Sequence, residues 1–346
     1  MNFIYFILVL SVTIFIHELG HFIFAKRAGI YVYEFALGMG PRIFKFNRKD
    51  DETTYSLRLF PIGGFVQMAG EEVELDEKIP ENKRLQSKTW MQRFLTVIAG
   101  VVFNFLLAIV LFIICAIVAG VPQDKVIISD IVKEYPIEST NIQVGDEIVA
   151  INNKNLYDKD MFLLEFQING KNDLNVTVRH SDNSLEDITI IPVPTDVDGK
   201  EVYKYGFSLD NAYSHNFFKI ISYGFAKTWS LIVQMFYIIY YLIIGKLSLN
   251  SLSGPVGIYN IVGQSAQAGF INVVFLTGYL CVNVGFINLL PIPAFDGGRA
   301  LFMIIEKIRR KPINAKVENT IHAVGLALLM ILMVLVTWND ITKFFI

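Results

Sequence analysis

The chain has 346 residues, 53% of them hydrophobic, with a formal net charge of -2 and a mean hydropathy of +0.46. That balance describes an integral membrane protein with some mass outside the bilayer; it excludes a soluble enzyme and a nucleic-acid partner, which would need a basic stripe. The two cysteines, Cys115 and Cys281, both lie in apolar runs and give no ground for a disulfide framework or a cysteine zinc site.

Residues 3–25 form the first predicted helix, long and apolar enough to cross a bilayer. Lys26, Arg27 and Gly29 stop it, and the two basic side chains reach back to the adjoining membrane surface. With no small-residue cleavage site, it reads as a retained helix and not a removed signal peptide. Inside it lies HELGH, residues 17–21. Residues four apart return to one helix face, so His17 and His21 project together. Two neutral imidazoles at that spacing can fill two corners of a tetrahedral Zn²⁺ site, and Glu18 lies close enough to reach a metal-bound water. The bland alternative is a set of bundle-facing polar residues on an ordinary membrane helix, but ionisable groups at that depth are costly unless they work.

Residues 31–72 stop looking helical, because Gly38, Gly40, Pro41, Pro61, Gly63, Gly64 and Gly70 punctuate them. Between these, residues 43–46 and 55–60 carry β-branched, aromatic and alternating side chains around a polar tip at 47–52, which predicts a membrane-associated β-hairpin. Its edge either pairs with an extended substrate or is that of a plain amphipathic surface hairpin. A charged stretch, 71–88, leads to a second predicted membrane helix at 94–119, in which the amide of Asn104 must find a partner inside the bundle. Residues 121–210, with short mixed strands and an acidic excess, read as a small folded domain. Residues 217–244 have the length of a span, but Lys219, Lys227, Trp229, Gln234 and several tyrosines make them look interfacial. After an expected loop at 248–260, SLNSLSGPVGIYN, a third helix spans roughly 273–290 and ends in NLLPIPAFDGG; the last covers about 321–336.

Positive charge sets the expected topology. The segment after the first helix holds Lys26, Arg27, Arg42, Lys45, Arg48 and Lys49 among others, and Lys307, Arg309, Arg310, Lys311 and Lys316 precede the last helix, so both segments are expected in the cytoplasm. The acidic domain is then outside, and 217–244 must cross an even number of times, as an interfacial or re-entrant helix. The expected organisation is 1–120, two membrane helices with HELGH and the hairpin; 121–210, the extracytoplasmic domain; 211–271, the interfacial helix and SGPVGI loop; 272–346, the last two of about four membrane helices. This topology brings Asp296, just past the third helix, to the depth of His17 and His21, making it the expected third ligand and leaving the fourth position to water. Pro291 and Pro293 break the helix and Gly297 and Gly298 allow close approach. The alternative for Asp296 is a helix N-cap for Arg299 onward.

HELGH followed by FIFAKRAGI, SLRLFPIGGFVQMAGE, AGVVFNFLLA, SGPVGI and NLLPIPAFDGGRAL resembles the site-2 protease family of intramembrane zinc metalloproteases, in its bacterial form that regulates sigma factors. The resemblance covers nearly the whole chain. Residues 135–156 within the middle domain resemble a PDZ domain, and only one such domain fits where some relatives carry two. The resemblance implies His17, His21 and Asp296 as zinc ligands, Glu18 as catalytic base, and Asn288 near the metal holding the substrate backbone. It also implies that Asn104 is a packing or substrate-binding residue. Phe295 stands where relatives usually have leucine, an apolar exchange.

The function this implies is hydrolysis of single-span membrane proteins in the bacterial cell membrane, such as anti-sigma factors already trimmed by an upstream site-1-type protease, with the active site near the cytoplasmic face. Two rivals stand beside it. One is a membrane-bound PDZ binding module or metal-storing protein without catalysis; the other is a heat-shock-type membrane protease whose third ligand is a glutamate such as Glu306.

Overall fold

The structure, a computed structural model, describes residues 2–49, 51–71, 78–197, 200–210, 212–248, 252–311, 313 and 315–345. Parts of the expected charged stretch at 71–88, of the loop at 248–260 and of the hairpin tip at Asp50 lie outside the described residues. The chain divides into two compact units, Met1–Phe112 with Leu249–Ile346, and Ile113–Ser248.

In the first unit, α1 (Asn2–Arg27) carries Lys26 and Arg27 in its last turn, where cations suit the negative end of the helix dipole, and Gly29 at φ 67° ends it in the left-handed conformation. The hairpin is longer than the sequence pattern indicates: β1 (Val32–Asn47) and β2 (Thr54–Met68) pair antiparallel. Each strand bends and pairs twice, since Leu37 opposes both Gly64 and Leu57 while Leu57 opposes both Leu37 and Phe44. The result is four ribbons in the order 64–68, 32–37, 54–57, 44–47, and no strand other than β1 pairs with β2 among the described residues. Residues 64–68 are therefore an edge. Phe15 and Phe22 of α1 pack on Phe35, and Phe22 also on Tyr55. At the far end, Met39, Ile43, Phe44, Leu57, Leu59 and Phe60 are exposed.

Glu34, 2% exposed, ties the ribbons together. Arg42 Nε donates to it at 3.1 Å, Arg58 Nη2 at 2.9 and 3.0 Å, and the Ser56 hydroxyl donates as well. Burial alone would raise its carboxyl, yet the bonds from Arg42, Ser56 and Arg58 hold it down, from an ordinary 4.5 to about 2. A carboxyl depressed in the folded state adds stability that is present above its ordinary value and lost as pH falls through the depressed one. Glu34→Gln, which leaves two guanidinium groups without their counter-charge, is expected to destabilise the folded chain by about 3 kcal/mol at neutral pH. The same variant should flatten the fall in melting temperature between pH 4.5 and 2. Thermal unfolding in detergent across that range checks both, and coincident wild-type and variant curves would refute the assignment.

From the first unit α2 (Trp90–Ala119) runs into the second. There the small domain contains β3 (Val121–Pro122), β4 (Ile128–Ile131), β5 (Glu147–Ile151), β6 (Lys154–Asn155), α3 (Lys159–Asn169), β7 (Leu174–Arg179) and β8 (Leu185–Ile190). It continues through β9 (Val193–Val197), β10 (Lys200–Lys204), β11 (Phe207–Leu209) and β12 (Tyr213–Ser214). The main sheet has the order β6-β5-β7-β8, and β4 pairs with β11. Alternating inward residues of these strands, such as Ile148, Val176, Val178 and Ile190, build the core with Phe162 of α3. Asp158 caps α3 by accepting from the Met161 N–H at 2.8 Å. The next helix, α4 (Phe217–Ile243), is held to the domain near its end, where buried Tyr241 meets Glu165 and Lys154.

Back in the first unit, α5 (Pro255–Ala268) takes in 255–260, the latter part of the segment expected to be a loop. Its local signals are proline at the first helical position and glycine at the cap; the decisive partner is remote, since the Gly257 N–H donates to Asp340 Oδ2 at 2.8 Å, a carboxylate 2% exposed. Then come α6 (Phe270–Leu289), α7 (Asp296–Arg309) and α8 (Ala315–Phe345). Five helices among the described residues, α1, α2, α4, α6 and most of α8, are long and apolar enough to cross a membrane, one more than the four expected, with α4 the least apolar.

Within this unit, α1 and α6 run parallel: Phe6 packs with Leu276, Thr13 touches Cys281 at 3.6 Å, and His17 meets Asp296. Running against both, α2 sets Asn104 beside His17 and Thr96 beside His21, and Phe112 beside Phe275.

Candidate metal centre

His17 and His21 are each 8% exposed and stand one turn apart on α1. Their Nε2 atoms are 3.3 Å from one another, and Asp296 Oδ2 lies 3.2 Å from His17 Nε2 and 3.3 Å from His21 Nε2. Three ligand-type atoms, two from α1 and one from α7 nearly three hundred residues later, form a nearly equilateral triangle. For one face of a tetrahedron the edge is 1.63 times the centre-to-corner distance, so edges of 3.2–3.3 Å correspond to bonds of about 2.0 Å, the length zinc makes with imidazole nitrogen and carboxylate oxygen. Asp296 Oδ2 is buried and, among the described residues, makes no hydrogen bond, an orphaned acceptor that such an ion would satisfy. The residues fit the group.

Each element delivers its side chain for an identifiable reason. The helical period aligns the two histidines. Asp296 is the first residue of α7; the N-cap is Phe295, which makes no side-chain cap bond, so the carboxylate faces the histidines and not its own helix end. The turn before it is held by α8. Ala294, at φ 84° in the left-handed region, donates its N–H to His322 Nδ1 at 3.0 Å. A non-glycine residue there costs about 1–3 kcal/mol, so the surrounding bonds determine the turn.

One face of α2 backs the histidines. The carbonyl of Thr96 accepts from His21 Nδ1 at 2.8 Å, and Asn104, fully buried, sits with its amide 3.3 Å from His17 Nδ1. Between them is Gly100, where an added Cβ would come within 2.4 Å of His21 Nε2 and 2.7 Å of His17 Cε1. The helices themselves are in backbone contact, because a Cβ on Gly20 would lie 2.5 Å from the Ala99 carbonyl oxygen. Sequence reasoning missed Thr96 and Gly100; the signal was the four-residue spacing 96, 100, 104, which lines one helix face.

Glu18 is half-buried next to the edge of the hairpin sheet, with its Cγ 3.2 Å from where a Cβ on Gly64 would stand. Asn288, half-buried at the next-to-last position of α6, makes no hydrogen bond or ion pair with the three metal-type groups among the described residues. Glu306 is engaged elsewhere: its carboxylate receives Arg93 Nη2 at 3.1 Å and the Ile313 N–H at 2.9 Å. Among the described residues His17, His21 and Asp296 are the one such group able to hold a metal ion.

The chain is similar to curated proteins along almost its whole length. The chain is 31% identical to the zinc metalloprotease RasP of Oceanobacillus iheyensis and 32% identical to that of Bacillus licheniformis, in both cases over 98% of each chain. RasP of Geobacillus kaustophilus is 31% identical, over 98% of this chain and 97% of its own. The model of peptidase family M50 matches residues 5–332, and the chain belongs to that family.

Proposed function

We propose that the chain is a zinc-dependent endopeptidase of single-span membrane proteins, with His17, His21 and Asp296 as ligands and Glu18 as general base. The observation that carries this reading is the triangle of donor atoms at 3.2–3.3 Å beside Glu18 in an apolar helix. The name shared by the curated relatives, zinc metalloprotease, supports zinc as the metal. Bound there, it supplies a Lewis acid that polarises the scissile carbonyl and acidifies a water. Glu18 accepts the attacking water's proton and returns it to the departing nitrogen. Asn288 remains a candidate for holding the substrate backbone, which the substrate must present after moving to meet it.

A substrate helix must unwind before its carbonyls can be reached, and unpaired backbone groups in lipid cost several kcal/mol each. The edge at residues 64–68, adjoining Glu18, offers replacement partners and is better placed for this than the 43–60 region singled out by sequence pattern. The exposed apolar end of the hairpin suits lipid.

The parallel run of α1 and α6, with α2 opposed, supports a topology in which the chain leaves α2 and enters α6 on the same side of the membrane. A helix between them then crosses in a pair or not at all, and α5, at 14 residues, is too short to be the second crossing. We therefore assign α4 to the interface and the small domain to the extracytoplasmic side, where a PDZ-like fold would exclude untrimmed substrates such as intact anti-sigma factors until an upstream protease has cut them.

The test uses the purified chain in lipid vesicles with a single-span substrate and elemental analysis alongside. Wild-type protein is expected to hold one zinc and cleave; Asp296→Asn should lose most of the metal and the cleavage together. Full zinc occupancy in Asp296→Asn would remove it from the ligand set.

A further inference from the structure

The two histidines are backed by acceptors of different kinds. A histidine that binds a metal through Nε2 must carry its proton on Nδ1, and that proton needs an acceptor. For His21 the acceptor is the Thr96 carbonyl at 2.8 Å, a group that can only accept and so fixes the tautomer outright. For His17 the group at Nδ1 is the amide of Asn104, presented through Nδ2 at 3.3 Å, while Oδ1 of the same amide is buried without a hydrogen-bond partner among the described residues. Presented that way, the amide would donate to Nδ1, send the ring proton to Nε2, and turn it toward Asp296 and the place of the ion. The opposite orientation exchanges only oxygen and nitrogen, which have nearly the same shape. As presented, Oδ1 has no donor among the described residues, so no second bond holds the amide in that orientation; metal ligation favours the opposite one.

We infer that Asn104 is a positioning residue for the metal centre: its amide oxygen accepts from His17 Nδ1–H and fixes Nε2 as the ligand atom, as the Thr96 carbonyl does for His21. This rests on the zinc reading above. It gives the buried amide of α2 a task other than helix packing or contact with substrate. The spacing of Thr96, Gly100 and Asn104 makes the face of α2 a continuous outer layer: acceptor, gap for the rings, acceptor. Loss of an acceptor of this kind typically costs 10- to 100-fold in metal affinity.

The experiment is zinc competition against a chromogenic chelator with the full-length chain in detergent, on metal-stripped protein whose melting temperature is measured first. Asn104→Leu, close in shape and without an acceptor, should bind zinc about 10- to 100-fold more weakly than wild type. Asn104→Asp, which restores an acceptor and cannot donate when ionised, should recover wild-type affinity or exceed it, and Co²⁺-loaded Asn104→Asp should reproduce the wild-type visible spectrum. If Asn104→Leu binds zinc as tightly as wild type, or if leucine and aspartate weaken binding equally, the inference is overturned and Asn104 is a packing residue. His17→Ala is the control for the underlying reading: if it holds zinc as wild type does, the metal site itself is misassigned, whatever Asn104 shows.

Discussion

Gly100→Ala is expected to weaken zinc binding roughly 5- to 150-fold, although alanine is the better helix former by about 1 kcal/mol. The added methyl would sit 2.4 Å from His21 Nε2, 2.7 Å from His17 Cε1 and 2.9 Å from His17 Nδ1. Neither ring can withdraw without losing a bond: His21 is held by the Thr96 carbonyl, His17 contacts Asn104, and Asp296 Oδ2 lies 3.2–3.3 Å from both Nε2 atoms. Nor can the helices part to one side, since Gly20 rests on the Ala99 carbonyl at backbone contact. The strain of overpacking, about 1–3 kcal/mol, falls on the ligand geometry and converts to roughly 5- to 150-fold in affinity. Cleavage should fall at least as far. Chelator competition and circular dichroism check this together: weaker zinc binding at unchanged helix content is the expected pair. Val102→Ala, on an exposed part of the same helix, should change neither. Wild-type affinity in Gly100→Ala would mean that the approach of α2 to the histidines is looser than the structure has it.

How much of this was legible in the sequence depends on whether the information is local. The pair His17 and His21 follows from helical period alone, whereas Asp296 comes to their depth through the expected topology, where a helix N-cap stays the alternative, and becomes a ligand through the family resemblance. Thr96 was silent because its contribution is a backbone carbonyl, the same for any residue. Gly100 was silent because a small residue inside an apolar run reads as ordinary helix packing; only its four-residue spacing from 96 and 104 separates it from the rest. Asn104 could be read as an amide needing a partner, but not which partner. The helix α5 was read as a loop since its start is stabilised by Asp340, 83 positions away, and glycine and serine next to proline otherwise mark a turn. The hairpin was read too short for a related reason. Its strands bend at Gly38, Gly40 and Gly63, with φ of 85–91°, and a strand that bends and pairs twice carries turn residues in its middle. As for α4, its length fits a span and its tyrosines and lysines fit an interface; Tyr241, which binds Glu165 and Lys154, shows that part of that polar content serves the small domain.

Glu18→Gln is expected to lower cleavage of a single-span substrate by about 100- to 10,000-fold, the range a positioned general base supplies. The substitution keeps shape and removes only the ability to take a proton, and Glu18 is not one of the three groups whose atoms form the triangle, so zinc content should remain at one per chain. The combination is what discriminates. Asp296→Asn should lose metal and activity together, whereas Glu18→Gln should lose activity alone; a non-catalytic metal-storing protein predicts no cleavage in any form, wild type included. Because Glu18 also adjoins Gly64 on the edge of β2, disturbed substrate docking is the competing explanation for a loss of function. Saturation kinetics separate the two: a missing base lowers kcat with little change in KM, and a disturbed edge raises KM first. Wild-type turnover in Glu18→Gln would place the base elsewhere and leave the histidine–aspartate triangle as a metal site whose chemistry is run by another residue.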